Sequence, residues 1–141
     1  MRVKVKKLHE NAKLPTYATN GSGCFDIYHC HEYGDYVGEQ PIWDTGLVFE
    51  IPKNHVMLVF SRSGHGFKHD VRLANCVGVI DSDYRGEVKV KLKGDGDSYY
   101  IDEGERIAQG MIIPVEKVQF EEVYELSNTE RGEGGFGSTG T

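Results

Sequence analysis

The sequence predicts an all-β fold, and three observations support this prediction. Short apolar runs recur along the chain, and several of them alternate apolar and polar residues, as half-buried strands do. Turn-forming residues separate these runs at short intervals, and glycine alone accounts for 18 of the 141 residues. No long stretch has the 3.6-residue periodicity of an amphipathic helix. The predicted architecture is therefore a β-sandwich or a β-barrel.

Individual runs predict individual strands. Alternation occurs in RVKVK (2–6), EVKVKL (87–92) and KVQFEE (117–122), and it predicts strands with one buried face. Continuous apolar runs occur in GLVFEIP (46–52), HVMLVF (55–60) and GMIIPV (110–115), and they predict strands buried on both faces. One helical turn is expected after SRSG (61–64).

Length, charge and cysteine content narrow the functional class. A chain of 141 residues fits one domain, and its net charge of −6 argues against a nucleic-acid-binding surface. No segment has the apolar length of a signal peptide or a membrane span, so no membrane partner is expected. Three cysteines at irregular spacing indicate a reducing compartment. The predicted location is the cytoplasm, or the cytoplasm of a host if the protein is viral.

Composition changes at about Ser127, where the sequence becomes rich in glycine and polar residues. The predicted organisation is a β-domain over residues 1–126 and a flexible C-terminal arm over residues 127–141.

Four potential soft metal ligands lie close together in CFDIYHCHEY, namely Cys24, His29, Cys30 and His31. Their spacing disfavours zinc, because no C-x-x-C pair is present and residues 29, 30 and 31 would alternate sides on a strand. Packing is the expected role of the cysteines.

Polar groups in turns suggest an anion site. In RGEGGFGSTG (131–140), an arginine, glycine amides and two hydroxyls could bind phosphate, and Phe136 could cover a flat ring. SRSG, DSDYRG (81–86) and GERIAQ (104–109) offer further polar groups. Each segment can also be explained without a ligand: RGEGGFGSTG as a flexible tail, and the other three segments as surface turns.

The order of five segments resembles the trimeric dUTP pyrophosphatases (dUTPases). ATNGSGCFDIY (18–28), SRSGHGFKH (61–69), GVIDSDYRG (78–86), GERIAQ and RGEGGFGSTG resemble the five motifs of that family. Two departures are Gly23-Cys24, where alanine-glycine is usual, and His65-Gly66, where leucine-alanine is usual. The resemblance implies a jelly-roll-like β-barrel of the β-clip type. It also implies a homotrimer whose sites lie at subunit junctions and whose C-terminal arms are exchanged between subunits.

The resemblance further implies hydrolysis of dUTP to dUMP and pyrophosphate, which keeps uracil out of DNA and supplies dUMP for dTMP synthesis. Asp81 would be the catalytic base that activates water, and Asp26 would orient its partners. Mg²⁺ would be the cofactor, held by triphosphate oxygens and water without a protein ligand. The implied phosphate-binding residues are Arg62, Ser63, Gly64, Gln109, Arg131, Ser138 and Thr139. The implied uracil- and deoxyribose-binding residues are Asn75, Gly78, Tyr84 and Phe136.

Two rival functions belong to the same fold. A dCTP deaminase would need a water-activating glutamate and a different tail, so RGEGGFGSTG and DSDYRG favour a dUTPase. A nucleotide-binding regulatory protein without catalysis is the second rival. The joint presence of Asp81, Gln109, Arg131 and Phe136 argues against it.

Overall fold

The computed structural model describes residues 1–94 and 99–140. Eleven strands and one helix follow one another in this part of the chain. They are β1 (Lys4–Lys7), β2 (Phe25–Tyr28), β3 (Asp35–Tyr36), β4 (Ile42–Asp44), β5 (Leu47–Glu50), β6 (His55–Phe60), α1 (Ser63–His69), β7 (Val71–Leu73), β8 (Val77–Ile80), β9 (Lys89–Gly94), β10 (Tyr100–Ile101) and β11 (Arg106–Pro114).

The strands form small antiparallel sheets, which confirms the prediction of an all-β, jelly-roll-like fold. The largest sheet has the order β2-β11-β6-β8, and a second sheet has the order β4-β9-β7. Two-stranded sheets pair β1 with β5 and β3 with β10. Consecutive strands therefore often lie in different sheets, as they do when two sheets pack face to face.

The hydrophobic core lies between these sheets. Its largest fully buried side chains include Trp43, Ile27, Leu47, Met57 and Ile107. Close packing explains why glycine occupies position 110 in the long strand β11. A Cβ atom there would lie 2.8 Å from the Phe25 ring and 3.2 Å from the carbonyl oxygen of Leu58, which is closer than carbon atoms pack.

Helix α1 follows the SRSG segment, as predicted. It has seven residues and is followed by Asp70, which caps its C-terminus in a left-handed conformation (φ 53°). The backbone N–H of Asp70 donates to the carbonyl oxygen of His65. Lys68 and His69 lie in the last turn, where positive charge suits the helix dipole. Among the residues that the structure describes, no helix is long and apolar enough to span a bilayer.

The predicted strands at 2–6, 46–52, 55–60, 87–92 and 110–115 are confirmed as β1, β5, β6, β9 and the end of β11. The strand predicted at KVQFEE is wrong for the single chain, since β11 ends at Pro114 and none follows among the described residues. Val118 is 68 % exposed and Phe120 93 % exposed. Alternation alone does not form a strand when no neighbouring strand offers hydrogen bonds.

Burial on both faces, predicted for the continuous apolar runs, is only partly observed. Leu47 and Phe49 are buried in β5 and Met57 in β6, but Val48 and Leu58 on the opposite faces are only half-buried. Met111, Ile112 and Ile113 in β11 are also half-buried. The single chain therefore leaves the second face of these strands partly open.

Candidate active site

A polar pocket opens where three neighbouring strands of the largest sheet meet. Gln109 of β11 lies opposite Asp26 of β2 on one side and Phe60 of β6 on the other. The chain leaves β6 through Ser61 and Arg62 and enters α1 at Ser63. The pocket encloses about 400 Å³ and is lined by Asp26, Arg62, Ser63, Gly64, Arg106 and Gln109, together with Ala18, Ser22, Gly23 and Cys24.

Two arginines flank one carboxylate in this pocket. Asp26 Oδ2 lies 3.2 Å from Arg106 Nη1, and Asp26 Oδ1 lies 3.8 Å from Arg62 Nε. The side chains of Asp26 and Arg62 are only 14 % and 19 % exposed, so water screens them weakly. Two positive charges against one negative charge leave the pocket net positive, which suits an anionic ligand.

Backbone contacts fix the rest of the pocket. Gln109 Nε2 donates to the carbonyl oxygen of Ser61 at 2.9 Å, and Ser61 Oγ accepts from the N–H of Leu73 at 2.9 Å. A Cβ atom at Gly64 would have no neighbour within 4 Å, so the backbone there is open to a ligand. The structure thus brings together five of the predicted residues: Asp26, Arg62, Ser63, Gly64 and Gln109.

Sequence reasoning missed Arg106 as a pocket residue. In a regular strand, residues three apart point to opposite faces, so Arg106 and Gln109 would not be expected to share a site. A β-bulge between Arg106 and Ala108 shifts the register against β2 and brings both side chains to one pocket. Ile107 and Ala108 are both fully buried. The sequence carried one sign of this bulge: Ile107 and Ala108 are two successive apolar residues, which breaks the alternation of apolar and polar residues in GERIAQ.

A buried cluster lies directly behind Arg62 and was also missed. His65 of α1 is 3 % exposed, and its Nε2 lies 3.0 Å from Glu105 Oε1 and 3.1 Å from Arg62 Nη1. Glu105 Oε1 also accepts from the hydroxyl of Tyr99 at 3.0 Å, and its Oε2 accepts from the N–H of Asp102 at 2.9 Å. Arg62 Nη1 donates to the carbonyl oxygen of Arg106 at 3.2 Å.

Ionisation in this cluster follows from burial and hydrogen bonding. Burial lowers the pKa of His65, and the positive charges of Arg62 and His69 lower it further, against the opposing effect of Glu105. Burial alone would raise the pKa of Glu105, but its bonds from Asp102, His65 and Tyr99 outweigh burial and lower it. Burial and the bond to Glu105 raise the pKa of the Tyr99 hydroxyl.

A second cavity of about 420 Å³ contains two of the predicted base-binding residues. Asn75 and Gly78 line it, together with Val59, Leu73, Ala74, Val79, Ile80 and residues 88–91. Strand β8 is the edge of its sheet, because it pairs with β6 on one side only. Its other edge can therefore offer backbone N–H and C=O groups to a ligand.

Residues 75–84, which border this cavity, form no paired hairpin in the described chain. Strand β8 pairs with β6, whereas β7 and β9 pair with each other in another sheet. The cavity consequently separates two sheets instead of lying within one paired ribbon.

Asp81 and Tyr84 lie in the turn that follows β8. The N–H of Tyr84 donates to the carbonyl oxygen of Asp81 at 3.2 Å, which confirms the predicted turn. Both side chains are exposed, and the hydroxyl of Tyr84 donates to the carbonyl oxygen of Glu87 at 3.1 Å. A Cβ atom at Gly86 would lie too close to the end of the exposed Tyr84 side chain, so a larger residue there would displace that side chain.

The C-terminal arm lies apart from these groups in the single chain. Its predicted site residues are Arg131, Phe136, Ser138 and Thr139, all of which are exposed. Arg131 Nε donates to the carbonyl oxygen of Gly134 at 2.8 Å. Within the described residues, backbone and side-chain hydrogen bonds of residues beyond 115 join the arm only to itself. The exposed segment begins at residue 116, and the boundary after residue 126 stays a prediction.

The histidines of CFDIYHCHEY pack against aromatic rings. His29 is buried, lies edge-on to Trp43 at 4.8 Å and donates from Nε2 to the carbonyl oxygen of Asp102 at 2.7 Å. His31 stacks on Trp43 at 5.2 Å, and its Nε2 accepts from the N–H of Asp44 at 3.0 Å. One ring nitrogen of each histidine therefore bonds to the backbone and supports the fold.

One other group in the described part of the chain could hold a metal ion by proximity. Ligand atoms of His9, Cys30 and Glu87 lie within 4.8 Å of one another. Glu87 already accepts from the N–H of Gly46 at 2.8 Å and pairs with Lys89 at 3.2 Å. Burial and nearby carboxylates raise the pKa of the Cys30 thiol, which disfavours the thiolate that a metal would need. We therefore assign no metal to this group.

Comparison with known proteins identifies the family. The dUTPase family model matches residues 10–140. The deoxyuridine 5'-triphosphate nucleotidohydrolase of Nautilia profundicola is 45 % identical over 141 residues and covers 99 % of both chains. That of a Hydrogenobaculum species is 46 % identical over 145 residues, again with 99 % of both chains covered.

A solved structure agrees with the sequence matches. The dUTPase of Staphylococcus bacteriophage 80alpha, as a G164S mutant with dUpNHpp, has a TM-score of 0.83 and 26 % identity, with 99 % of both chains covered. Family model, full-length relatives and fold agree, and the five motifs occur in order along the chain. The chain therefore belongs to the dUTPase family.

Proposed function

We propose that the protein hydrolyses dUTP to dUMP and pyrophosphate at a site shared between subunits. The observation that carries this proposal is the positive pocket in which Arg62 and Arg106 flank Asp26. A triphosphate is the anionic part of dUTP, and planar guanidinium groups bind phosphate oxygens through paired hydrogen bonds.

The α- and β-phosphates would bind in this pocket. Arg62 and Gln109 supply side-chain donors, and Ser63 and Gly64 supply backbone N–H groups where α1 begins without a side-chain cap. Asp26 would hold both arginines in place, since its oxygens contact each of them. Arg131, Ser138 and Thr139 would bind the γ-phosphate from the arm.

Uracil would bind in the cavity beside β8. Its edge presents an acceptor, a donor and an acceptor, which the open backbone edge of β8 and the amide of Asn75 can match. Cytosine presents a different order, and an unmatched buried polar group costs about 1–3 kcal/mol. Gly78 lets the base approach the backbone closely, Tyr84 would contact the deoxyribose, and Phe136 would stack on uracil.

Asp81 would act as the general base. Its exposed carboxylate can accept a proton from water as the water oxygen bonds to the α-phosphorus. The bond from the α-phosphorus to the bridging oxygen then breaks, and pyrophosphate leaves.

The donor set fits Mg²⁺ held by the substrate. Among the residues that the structure describes, Asp26 is the single carboxylate that lines the phosphate pocket, and both of its oxygens face arginines, so none of them offers the pocket a free carboxylate as a metal ligand. Bound Mg²⁺ would neutralise triphosphate charge and favour one substrate conformation.

A homotrimer would complete this site. In the single chain, the phosphate pocket and the β8 cavity share no lining residue, and the arm hydrogen-bonds only to itself among the described residues. Exchange of arms between three subunits would bring the three parts together. Flexibility of residues 127–141 would allow the arm to close over bound nucleotide.

Substrate identity is tested by measuring pyrophosphate release with dUTP, dCTP, dTTP and UTP in parallel. We expect release with dUTP at a rate far above the other three. Ammonia release from dCTP would indicate the deaminase instead, and binding without turnover would indicate a regulatory protein.

Sharing of the site is tested by mixing two inactive variants. Asp81→Asn retains the arm, and a chain that lacks residues 131–141 retains Asp81. If arm and base come from different subunits, co-refolded mixtures recover activity. If one subunit supplies both, mixtures stay as inactive as the separate variants.

A further inference from the structure

The cluster behind the phosphate pocket places a buried histidine between an arginine and a carboxylate. His65 Nε2 lies 3.1 Å from Arg62 Nη1 and 3.0 Å from Glu105 Oε1. One ring nitrogen either donates or accepts a hydrogen bond, so it cannot bond to both groups at once. The protonation of the cluster decides which bond forms.

The ionised state of Glu105 determines which hydrogen bond His65 Nε2 forms. Its carboxylate already accepts from Tyr99 and Asp102, and these bonds favour the ionised form, which can only accept. His65 therefore carries its proton on Nε2 and donates to Glu105. His65 Nδ1 is buried without a partner among the described residues, so a proton there would be an unpaired buried donor. The neutral Nε2–H tautomer is the one that the surroundings satisfy best.

With His65 bonded to Glu105, the hydrogen bond and the ion pair of Arg62 go to Arg106 and Asp26. Its Nη1 donates to the carbonyl oxygen of Arg106, and its Nε faces Asp26. With its proton on Nε2, the His65 ring lies 3.1 Å from Arg62 Nη1 without accepting from it, and its bulk would oppose movement of the guanidinium toward the ring. Glu105 keeps the ring in that orientation.

We propose that His65, anchored by Glu105, is a positioning residue that holds Arg62 toward the phosphate pocket. The inference rests on the proposed role of Arg62 in phosphate binding. It gives a role to the histidine that stands in the second motif where leucine is usual in the family.

Acid should weaken this positioning. The titratable and charged groups that face His65 are Arg62 from the loop before α1, His69 from α1 itself, Tyr99 from the segment before β10, and Glu105 from the turn before β11. A protonated His65 would place a second cation 3.1 Å from the Arg62 guanidinium. Repulsion at that distance in a buried site would move the guanidinium away from the phosphate position.

A double-mutant cycle tests the inference. Calorimetry would measure the Kd of a slowly hydrolysed dUTP analogue for wild type, His65→Ala, Arg62→Ala and the double variant. With Arg62 present, we expect His65→Ala to weaken binding about tenfold, because the misplaced guanidinium would lose roughly one charge-assisted bond to phosphate. We expect no further loss in the Arg62→Ala background, because the positioned group is then absent.

His69→Ala is the matched control. It removes an exposed histidine of the same helix, which stacks on Tyr99 at 4.2 Å. Its affinity should equal that of wild type. Thermal unfolding of each variant checks that the comparison is made between folded proteins.

The variant His65→Gln tests the packing role of the side chain at position 65 separately from its protonation. Glutamine can place an N–H donor near the position of Nε2, but it does not titrate. We expect near-wild-type affinity at pH 7.5 and loss of the acid-side decline in kcat/KM that wild type shows as His65 protonates.

Two results would overturn the inference: wild-type affinity in His65→Ala, or the same loss from His65→Ala with and without Arg62. An acid-side decline that persists unchanged in His65→Gln would exclude the pH-dependent part. If Arg62→Ala itself leaves dUTP binding intact, the proposed phosphate site fails, and that failure is distinguishable from independence of His65 and Arg62.

Discussion

Removal of residues 131–141 should leave the fold intact and abolish most of the activity. Phe136 is 113 % exposed, and the other described residues of this segment are exposed, apart from the half-exposed Gly134 and Gly135. Its described hydrogen bonds are internal to the arm. Deletion therefore exposes almost no apolar surface, and at about 25 cal/mol per Å² the free energy of unfolding should change by less than ~0.5 kcal/mol. A chain of this size would then show a Tm shift of no more than about 2–3 °C.

The expected loss of activity follows from the contacts that the arm would make. Arg131 offers a charge-assisted bond worth about 1.5–3 kcal/mol, and Ser138 and Thr139 offer neutral bonds worth about 0.5–1.5 kcal/mol each. Together they amount to about 2.5–6 kcal/mol, which corresponds to a decrease in kcat/KM of roughly 10²–10⁴-fold.

The assay pairs calorimetric unfolding with pyrophosphate release from dUTP, and deletion of Thr141 alone is the control.

A second test of the arm replaces Phe136 with tryptophan and measures its fluorescence. Trp43 is fully buried, so an exposed indole at position 136 should emit at longer wavelength and the core tryptophan can stay. Its emission should change more with the slowly hydrolysed analogue than with dUMP, which lacks the β- and γ-phosphates.

Three outcomes would contradict this reasoning. A Tm decrease of many degrees would mean that the arm packs on the folded domain. Wild-type activity after deletion would mean that the site is complete without it. Equal emission changes with the analogue and with dUMP would mean that the arm does not sense the triphosphate.

Further predictions concern single side chains. Asp81→Asn should bind the dUTP analogue normally but lower kcat by about 10²–10⁴-fold, as loss of a general base does, and unchanged kcat would exclude Asp81 from that role. Tyr84→Ala should raise the rate with UTP relative to dUTP by opening space for a 2′-hydroxyl, whereas a constant ratio would assign sugar selection to other residues. The lowered pKa of His65 means that the unfolded chain binds more protons, so stability should fall as pH drops from about 6.5 toward the folded-state pKa. Urea titrations should show this decrease in wild type and a smaller one in His65→Gln, where the lowered pKa of buried His29 still contributes in the same direction. The lowered pKa of Glu105 adds a separate loss below about pH 4.5.

Patterns of local origin predicted much of the fold. Alternation at Val88, Val90 and Leu92 predicted β9, and the turn chemistry of DSDYRG predicted the bend after β8. These features depend on residues close in sequence, which a single sequence displays directly.

Features that depend on tertiary context were not predictable in this way. The β-bulge near Ile107 reverses the side on which Arg106 lies, and alternation reports the regular strand and not its exception. Glu105 and His65 are 40 positions apart in the chain. Their contact requires α1 to pack against the turn before β11, which sequence spacing does not reveal.

The strand predicted at KVQFEE does not form among the described residues of the single chain. Val118 and Phe120 alternate with polar residues as a half-buried strand does, yet both are exposed in the single chain. Val48 and Leu58 leave a second apolar face half-open on the sheets. A segment patterned for burial and a surface left partly open would be buried together if the proposed exchange of arms between subunits brings them into contact. Sedimentation should therefore give a trimer. Charged substitution of Val118 and Phe120 together should weaken that trimer while the unfolding of the separate domain changes little, because neither side chain is buried within its own chain.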